Sequence, residues 1–239
     1  MTNILYMKDV DSNYIKEFDA VVTKNKKDYI LLDKTAFYPL GGGQPSDTGK
    51  IFWDQKESKV KEVIKKGDII KHVIDGEKPS VGSKIHAELD WDKRYMHMKM
   101  HTAQHIISGI IFDNFNARTV GNQIHADYSR VDFRPIKFSD EKLKIIEDLF
   151  NDIVDKKLPI GVYKEERSTL EKRINSQRAN LDLLPKSVSK LRIVEIKGFD
   201  ICPCAGTHIK NTSELSKLKI LRTETKGKDT ERLVYTLEK

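Results

Sequence analysis

Over roughly the first 88 residues, apolar and polar positions alternate in short runs separated by turn signals. "FDAVVTKNKKDYILLDK", "GKIFWD", "SKVKEVIKKGDIIKHVIDG" and "KIHAELD" each read as one or two strands. "TKNKKD" and "KKGD" supply the hairpin turns between them. No stretch here has a helical period, so these strands predict a small barrel or sandwich.

After "ELDWDKR" the period changes. Residues 92–113 lack proline and carry Met96, Met100, Ile106, Ile107 and Ile110 at helical spacing. "RTVGNQIHADYSRVDFR" alternates like a strand pair. "SDEKLKIIEDLFNDIVDKK" is the clearest helix: Ser139 caps it, and Asp140 and Glu141 suit its positive end. Its apolar stripe is Leu143, Ile146, Phe150, Ile153 and Val154, and Pro159 follows its end. "STLE" at 168–171 predicts a capping box opening another helix. "LRIVEI", "KLKILRT" and "ERLVYTL" close the chain as strands. Helices and strands without βαβ alternation predict an α+β fold. The expected division is a small β-barrel domain over 1–90 and an α+β domain over 91–239.

Composition narrows the class. With 38% hydrophobic and 33% charged residues, the 239-residue chain has enough apolar content for packed cores. No apolar run reaches the ~18–20 residues of a membrane span, so no membrane partner is expected. Acidic residues among the first dozen, and no small-residue cleavage site, argue against a signal peptide and for a cytoplasmic address. The two cysteines, Cys202 and Cys204, flank Pro203 too closely for an unstrained bridge. A net charge of +7 favours a polyanionic partner such as nucleic acid, although a lysine-rich solvated surface gives the same number.

Candidate chemistry lies in three places. "FYPLGGGQPSDTG" ends in Gly49-Lys50 but is no phosphate loop: Gln44 stands at the first glycine position and Ile51 at the magnesium-binding Ser/Thr. Its three glycines permit φ > 0 and close backbone approach, and a barrel turn needs nothing more. "HMKMHTAQHIISGI" sets His97, His101 and His105 at four-residue intervals. One zinc takes a helical i, i+4 pair but not all three, because the outer two are more than two turns apart. Cys204 and His208 in "CPCAGTHIKNT" repeat the four-residue separation. Thiolate with imidazole suits zinc and disfavours calcium or magnesium. Two short-range pairs joined by a long interval are how a tertiary metal site is built.

At these blocks the sequence resembles the AlaX proteins, free-standing relatives of the editing domain of alanyl-tRNA synthetase. The resemblance rests on "FYPLGGGQPSD", "MKMHTAQHIISG" and "DICPCAGTHIKNTSEL" in that order, with "ELDWDKRY", "NLDLLP" and "KILRTETKGK" around them. A glycine block in a β-rich N-terminal domain points to the medium-length type. Ala205 departs from the second glycine more usual there.

The resemblance implies that 91–239 is a zinc-binding aminoacyl-tRNA editing domain. It places one Zn2+ per chain on His101, His105, Cys204 and His208. His97 is left as a surface or supporting residue and Cys202 as a bystander. The implied activity is hydrolysis of the ester in mischarged tRNA-Ala, Ser-tRNA-Ala and Gly-tRNA-Ala, sparing Ala-tRNA-Ala. A pocket that admits alanine cannot exclude glycine by size and rejects an added hydroxyl weakly, so correction needs a second site. Thr102 and Gln104 are the candidate catalytic residues. Gly41, Gly42, Gly43, Gln44, Thr119 and Gln123 are the candidate substrate contacts. Lys210, Lys217, Lys219, Lys226 and Lys228 are candidate phosphate contacts. The rivals are a zinc-stapled RNA-binding module without catalysis and a zinc esterase or amidase for small molecules. Oligomeric state is not written in the pattern.

Overall fold

In the computed structural model, which describes residues 2–179, 181 and 184–238, the strand-rich start closes on itself. In chain order the elements are β1 (Asn3–Ile4), β2 (Glu17–Asn25), β3 (Tyr29–Leu32), β4 (Lys34–Thr35), β5 (Gly49–Trp53), β6 (Lys56–Lys66), β7 (Ile69–Asp75) and β8 (Lys84–Leu89). Six of them form a closed barrel in the order β2-β3-β7-β6-β5-β8, with β1 and β4 as a short parallel pair. The alternation in the sequence is the cause: Phe18, Val22, Ile30, Leu32, Ile51, Val60, Val63, Ile70, Ile85 and Ala87 point inward and fill the barrel. Closure leaves these six strands no free edge.

The chain then enters α1 (Trp91–Phe115). It continues through β9 (Arg118–Gln123), β10 (Ser129–Arg134), α2 (Asp140–Asp155), β11 (Ile160–Glu166), α3 (Arg167–Leu170), β12 (Lys190–Ile196), β13 (Asp200–Pro203), β14 (Leu218–Thr225) and β15 (Glu231–Leu237). Two compact units result, Met1–His97 and Met98–Lys239, and the division falls inside α1. The first turns of α1 stay with the barrel, beyond the change in period near residue 90, because Arg94 is buried there against Asp47.

Within the second unit, one sheet runs β14-β15-β10-β9 and another β11-β12-β13. The later part of α1 lies against the inner face of the four-stranded sheet, where the Tyr235 hydroxyl donates to the Met100 carbonyl at 2.8 Å. Met98, Met100, Ala103, Ile106, Ile107, Ile110 and Ile111 are all buried, so this helix is enclosed on most sides and shows little amphipathic stripe. By contrast α2 has the expected stripe, with Ile146, Phe150 and Ile153 buried, and Ser139 accepts from the Lys142 N–H as its cap. It also covers a sheet edge: the backbone N–H groups of Leu218 and Ile220 donate to Asn151 and Glu147.

The capping box expected at 168–171 does not form. The helix starts two residues earlier, at Arg167, has no side-chain cap, and stops after one turn. The Arg167 guanidinium instead gathers the carbonyls of Leu181, Leu184 and Pro185, while Leu170, Ala179 and Leu181 bury against Leu191 and Ile193. The "NLDLLP" block lies partly outside the described residues.

One buried titratable group gives the barrel a pH limit. His72 on β7 is fully buried, with Nε2 2.9 Å from the Thr35 hydroxyl and its ring edge-on to Phe37. Burial pulls its pKa down to about 4, against a weaker upward pull from the Ile30 carbonyl. The folded value lies below the unfolded one, so stability is full above pH ~6.5 and is lost as pH falls toward 4. The expected loss is about 3 kcal/mol. Urea unfolding of wild type and His72→Phe at pH 7 and pH 4.5 measures it: the wild type should lose distinctly more stability on acidification. Equal losses would rule His72 out as the cause.

Candidate metal centre

The i, i+4 spacing on α1 places His101 and His105 on one helix face, both buried. The partners come from the loop after β13. There the Cys204 N–H still donates to the Arg192 carbonyl of β12 at 3.0 Å, and Arg192 Nη1 returns to the Cys204 carbonyl at 2.6 Å. The loop then turns through Ala205-Gly206 and carries the fully buried His208 back toward the helix. One ligand atom from each of His101, His105, Cys204 and His208 lies within 4.8 Å of the others. Cys204 Sγ is 3.6 Å from His101 Nε2 and 3.4 Å from His208 Nε2. The three imidazole rings sit with centroids 4.5–5.4 Å apart.

These four donors fit a metal ion. A tetrahedron with zinc–sulfur and zinc–nitrogen bonds of ~2.3 and ~2.0 Å has sulfur–nitrogen edges of about 3.5 Å. One thiolate with three imidazoles is a borderline-soft set that excludes calcium and magnesium. Electrostatics agrees. Burial alone would raise the Cys204 thiol, but the field of His101 and the hydrogen bonds from the neighbouring imidazoles hold it well below the usual thiol range. Burial and the neighbouring His101 push His208 down to about 3, keeping its imidazole neutral. A second grouping, Glu17, His86 and Glu88 on β2 and β8, lacks a thiolate and is open to solvent.

The outer partners fix which ring nitrogens face inward. Thr102 is fully buried and its hydroxyl sits 3.1 Å from His208 Nδ1, while also accepting from the Ile209 N–H. With Nδ1 carrying the proton toward Thr102, Nε2 is left for a metal. Asp200 does the same for His105, with Oδ2 3.5 Å from Nδ1. Burial lowers the His105 pKa, but Asp200 and Cys204 outweigh it and raise the imidazole to about 10.

The remaining predicted residues divide. Gln104 Nε2 donates to Ser108 at 2.9 Å, its Oε1 accepts from Asn122 at 3.2 Å, and Ser108 is 2.8 Å from the Thr119 hydroxyl. Thr119 and Asn122 are three apart, so a regular strand would turn them to opposite faces. A bulge at Val120, where Thr119 and Gly121 pair with successive residues Phe133 and Asp132, brings both onto the helix-facing side. Gln123 is not brought there: it pairs with Arg130 on the other face and accepts from its guanidinium at 2.9 Å.

Gly41–Gln44 form a tight turn with reciprocal backbone bonds of 3.2 and 3.0 Å. Gly42 and Gly43 have φ of +58° and +81°, which side-chain-bearing residues rarely adopt. Gln44 is fully buried, and Gly41 and Gly42 are exposed. His97 is buried rather than on the surface and is not one of the four. Cys202 is also outside the cluster, with its sulfur 3.9 Å from the Ala179 carbonyl. Sequence reasoning missed Ser108, Asn122 and Asp200. Two of them had a signal in spacing, Ser108 four after Gln104 and Asp200 four before Cys204, and Asn122 had none.

Comparison with known proteins bears on the family of the chain. Residues 6–93 match the family described as tRNA synthetases class II (A), and 191–234 match the threonyl and alanyl tRNA synthetase second additional domain. The alanyl-tRNA editing protein AlaX-M of Methanosarcina barkeri is 41% identical over 244 residues, covering 99% of both chains. AlaX-M of Saccharolobus solfataricus is 35% identical over the full length of both. The alanine–tRNA ligase of Thermococcus kodakarensis is 35% identical over 240 residues, 98% of this chain but only 25% of the ligase. No helix among the described residues is long and apolar enough to cross a membrane. With matches of this identity along its whole length, the chain belongs to the AlaX family of alanyl-tRNA editing proteins.

Proposed function

We propose that this protein edits in trans, adding water to the ester of Ser-tRNA-Ala and Gly-tRNA-Ala to release the free amino acid and tRNA-Ala, and sparing Ala-tRNA-Ala. The observation that carries the reading is the cluster of one thiolate and three imidazoles in a chain similar throughout to AlaX-M proteins. The ion proposed is one Zn2+ per chain on His101, His105, Cys204 and His208, and the proposed place of action is the cytoplasm. When bound, zinc supplies a Lewis acid to polarise an ester carbonyl or hold the aminoacyl amine.

The chain's own residues have separable roles in this reading. Thr102 acts behind His208 and does not touch substrate, because its hydroxyl is buried and committed. Gln104 and Thr119 belong to a hydroxyl-and-amide relay that suits a seryl side chain. A seryl hydroxyl can join that relay and an alanyl methyl cannot, a difference of about 1–3 kcal/mol or one to two powers of ten in rate. Sparing of alanine over glycine rests instead on steric exclusion of the methyl. Gly41, Gly42, Gly43 and Gln44 are proposed to contact the substrate, Gly41 and Gly42 through exposed backbone. The exposed Lys217, Lys219, Lys226 and Lys228, with Lys210, are proposed phosphate contacts, so added salt raises KM more than it lowers kcat.

The test is incubation of zinc-loaded protein with each of the three aminoacyl-tRNAs at low salt. Serine and glycine should be released well above the buffer rate and alanine about 10–100-fold more slowly. Ser-tRNA-Ala that persists as in buffer overturns the enzyme reading and leaves the zinc-stapled RNA-binding module.

A further inference from the structure

The four-residue stripe that carries the histidines does not end at His105. It runs on through Gly109 and Asp113, each step turned about 40° from the last, so His105, Gly109 and Asp113 line one slowly winding face of α1. Arg178, from the segment after α3, lies along the lower half of that face. Its Nε and Nη2 grip both carboxylate oxygens of Asp113 at 3.0 and 2.8 Å. Its Nη1 donates to Asp200 Oδ1, and Nη2 also reaches the Phe199 carbonyl at 3.2 Å. The guanidinium stacks over the Phe199 ring, 5.6 Å from its centroid. Gly109 makes room for this: a Cβ there would stand 2.9 Å from both Arg178 Nη2 and Phe199 Cζ.

Asp200 is thus held between two partners, with Oδ1 on Arg178 and Oδ2 facing His105 Nδ1. It is buried, so without Arg178 its carboxylate would keep only His105 as a charged partner. We infer that Arg178, acting through Asp200, is the positioning residue that fixes the orientation of His105 and thereby sets the metal affinity of the centre. Outer partners of ligating histidines typically govern affinity by 10–100-fold. The inference rests on the metal reading proposed above.

The experiment measures the zinc dissociation constant of the full-length protein by competition with a chromogenic chelator, and the visible spectrum of the cobalt-loaded form. Asp200→Asn and Arg178→Gln should each weaken zinc binding about 10–100-fold and shift the cobalt bands. Gly109→Ala reaches the same guanidinium from the helix side and should act in the same direction. It keeps the test decisive if an Arg178 variant does not fold. Asp113→Asn removes only the outer grip, so it should lower stability while leaving zinc affinity within about threefold. Arg178→Gln or Gly109→Ala binding zinc as tightly as wild type overturns the inference. So does an Asp113→Asn loss equal to that of Arg178→Gln, because Arg178 would then only staple its own segment. If wild type takes up no zinc, the metal reading itself fails, and that shows before any variant is compared.

Discussion

Replacing Cys204 by alanine is expected to strip the metal from the centre and abolish deacylation. Four-ligand zinc sites bind with about 10–16 kcal/mol, so an equal share per ligand is roughly 2.5–4 kcal/mol, or two to three powers of ten in affinity. Cys204 should cost more than an equal share. It is the one anionic donor, lies 3.4–3.6 Å from two of the three imidazoles, and also accepts the Gly206 N–H at 3.3 Å. Its loss would leave three neutral rings around a divalent ion. His101→Ala should behave similarly, whereas His97→Ala should keep its metal, because His97 is not among the four. Zinc per chain after dialysis against a chelator decides the matter. Full occupancy in Cys204→Ala and His101→Ala would sink the assignment, and loss in His97→Ala would mean that the wrong helical turn was chosen.

How much of this was legible depends on whether the physics leaves a period. The barrel strands and α2 each bury one face, so their alternation shows in the string. The later part of α1 is buried on most sides, so the helical spacing of Met96, Met100, Ile106, Ile107 and Ile110 marks it without showing a single buried stripe. The quartet could be read because both halves keep four-residue spacing, once on a helix and once in a loop. Ser108 and Asp200 keep that spacing too but without ligand chemistry to mark them, and Asn122 and Arg178 meet partners 18 to 65 positions away. A bulge is likewise invisible: nothing in "RTVGNQ" says that Thr119 and Asn122 share a face while Gln123 turns from it. The "STLE" box failed for a further reason. Local capping was outweighed by the burial of Leu170 and the carbonyls gathered by Arg167.

The aspartate that ends the glycine block and the arginine of "DKRY" were both quoted from the sequence with no role, and together they carry the largest stability effect expected in the barrel unit. Arg94 and Asp47 are each at most 2% exposed. Arg94 Nε lies 3.0 and 2.9 Å from the two Asp47 oxygens, Nη2 also meets Asp47, and the remaining donors reach the carbonyls of Asn13 at 3.1 Å and Ala36 at 2.6 Å. Asp47 Oδ2 accepts the Tyr38 N–H at 2.6 Å, and Tyr38 in turn holds the Gly41 carbonyl through its hydroxyl at 2.8 Å. The pair therefore pins both α1's first turn and the base of the glycine turn. Removing one partner strands a buried charge, so Arg94→Met or Asp47→Leu should each cost about 3–5 kcal/mol. That is a large share of the ~5–15 kcal/mol that keeps a domain folded. The double variant should be less damaging than the sum, because most of each single cost is the charge left behind. It should not return to wild type, since Ala36, Asn13 and Tyr38 keep buried backbone groups without their partner. Urea unfolding of the two singles and the double closes the cycle. Strictly additive losses would show that the pair is not coupled, and would deny it the anchoring role.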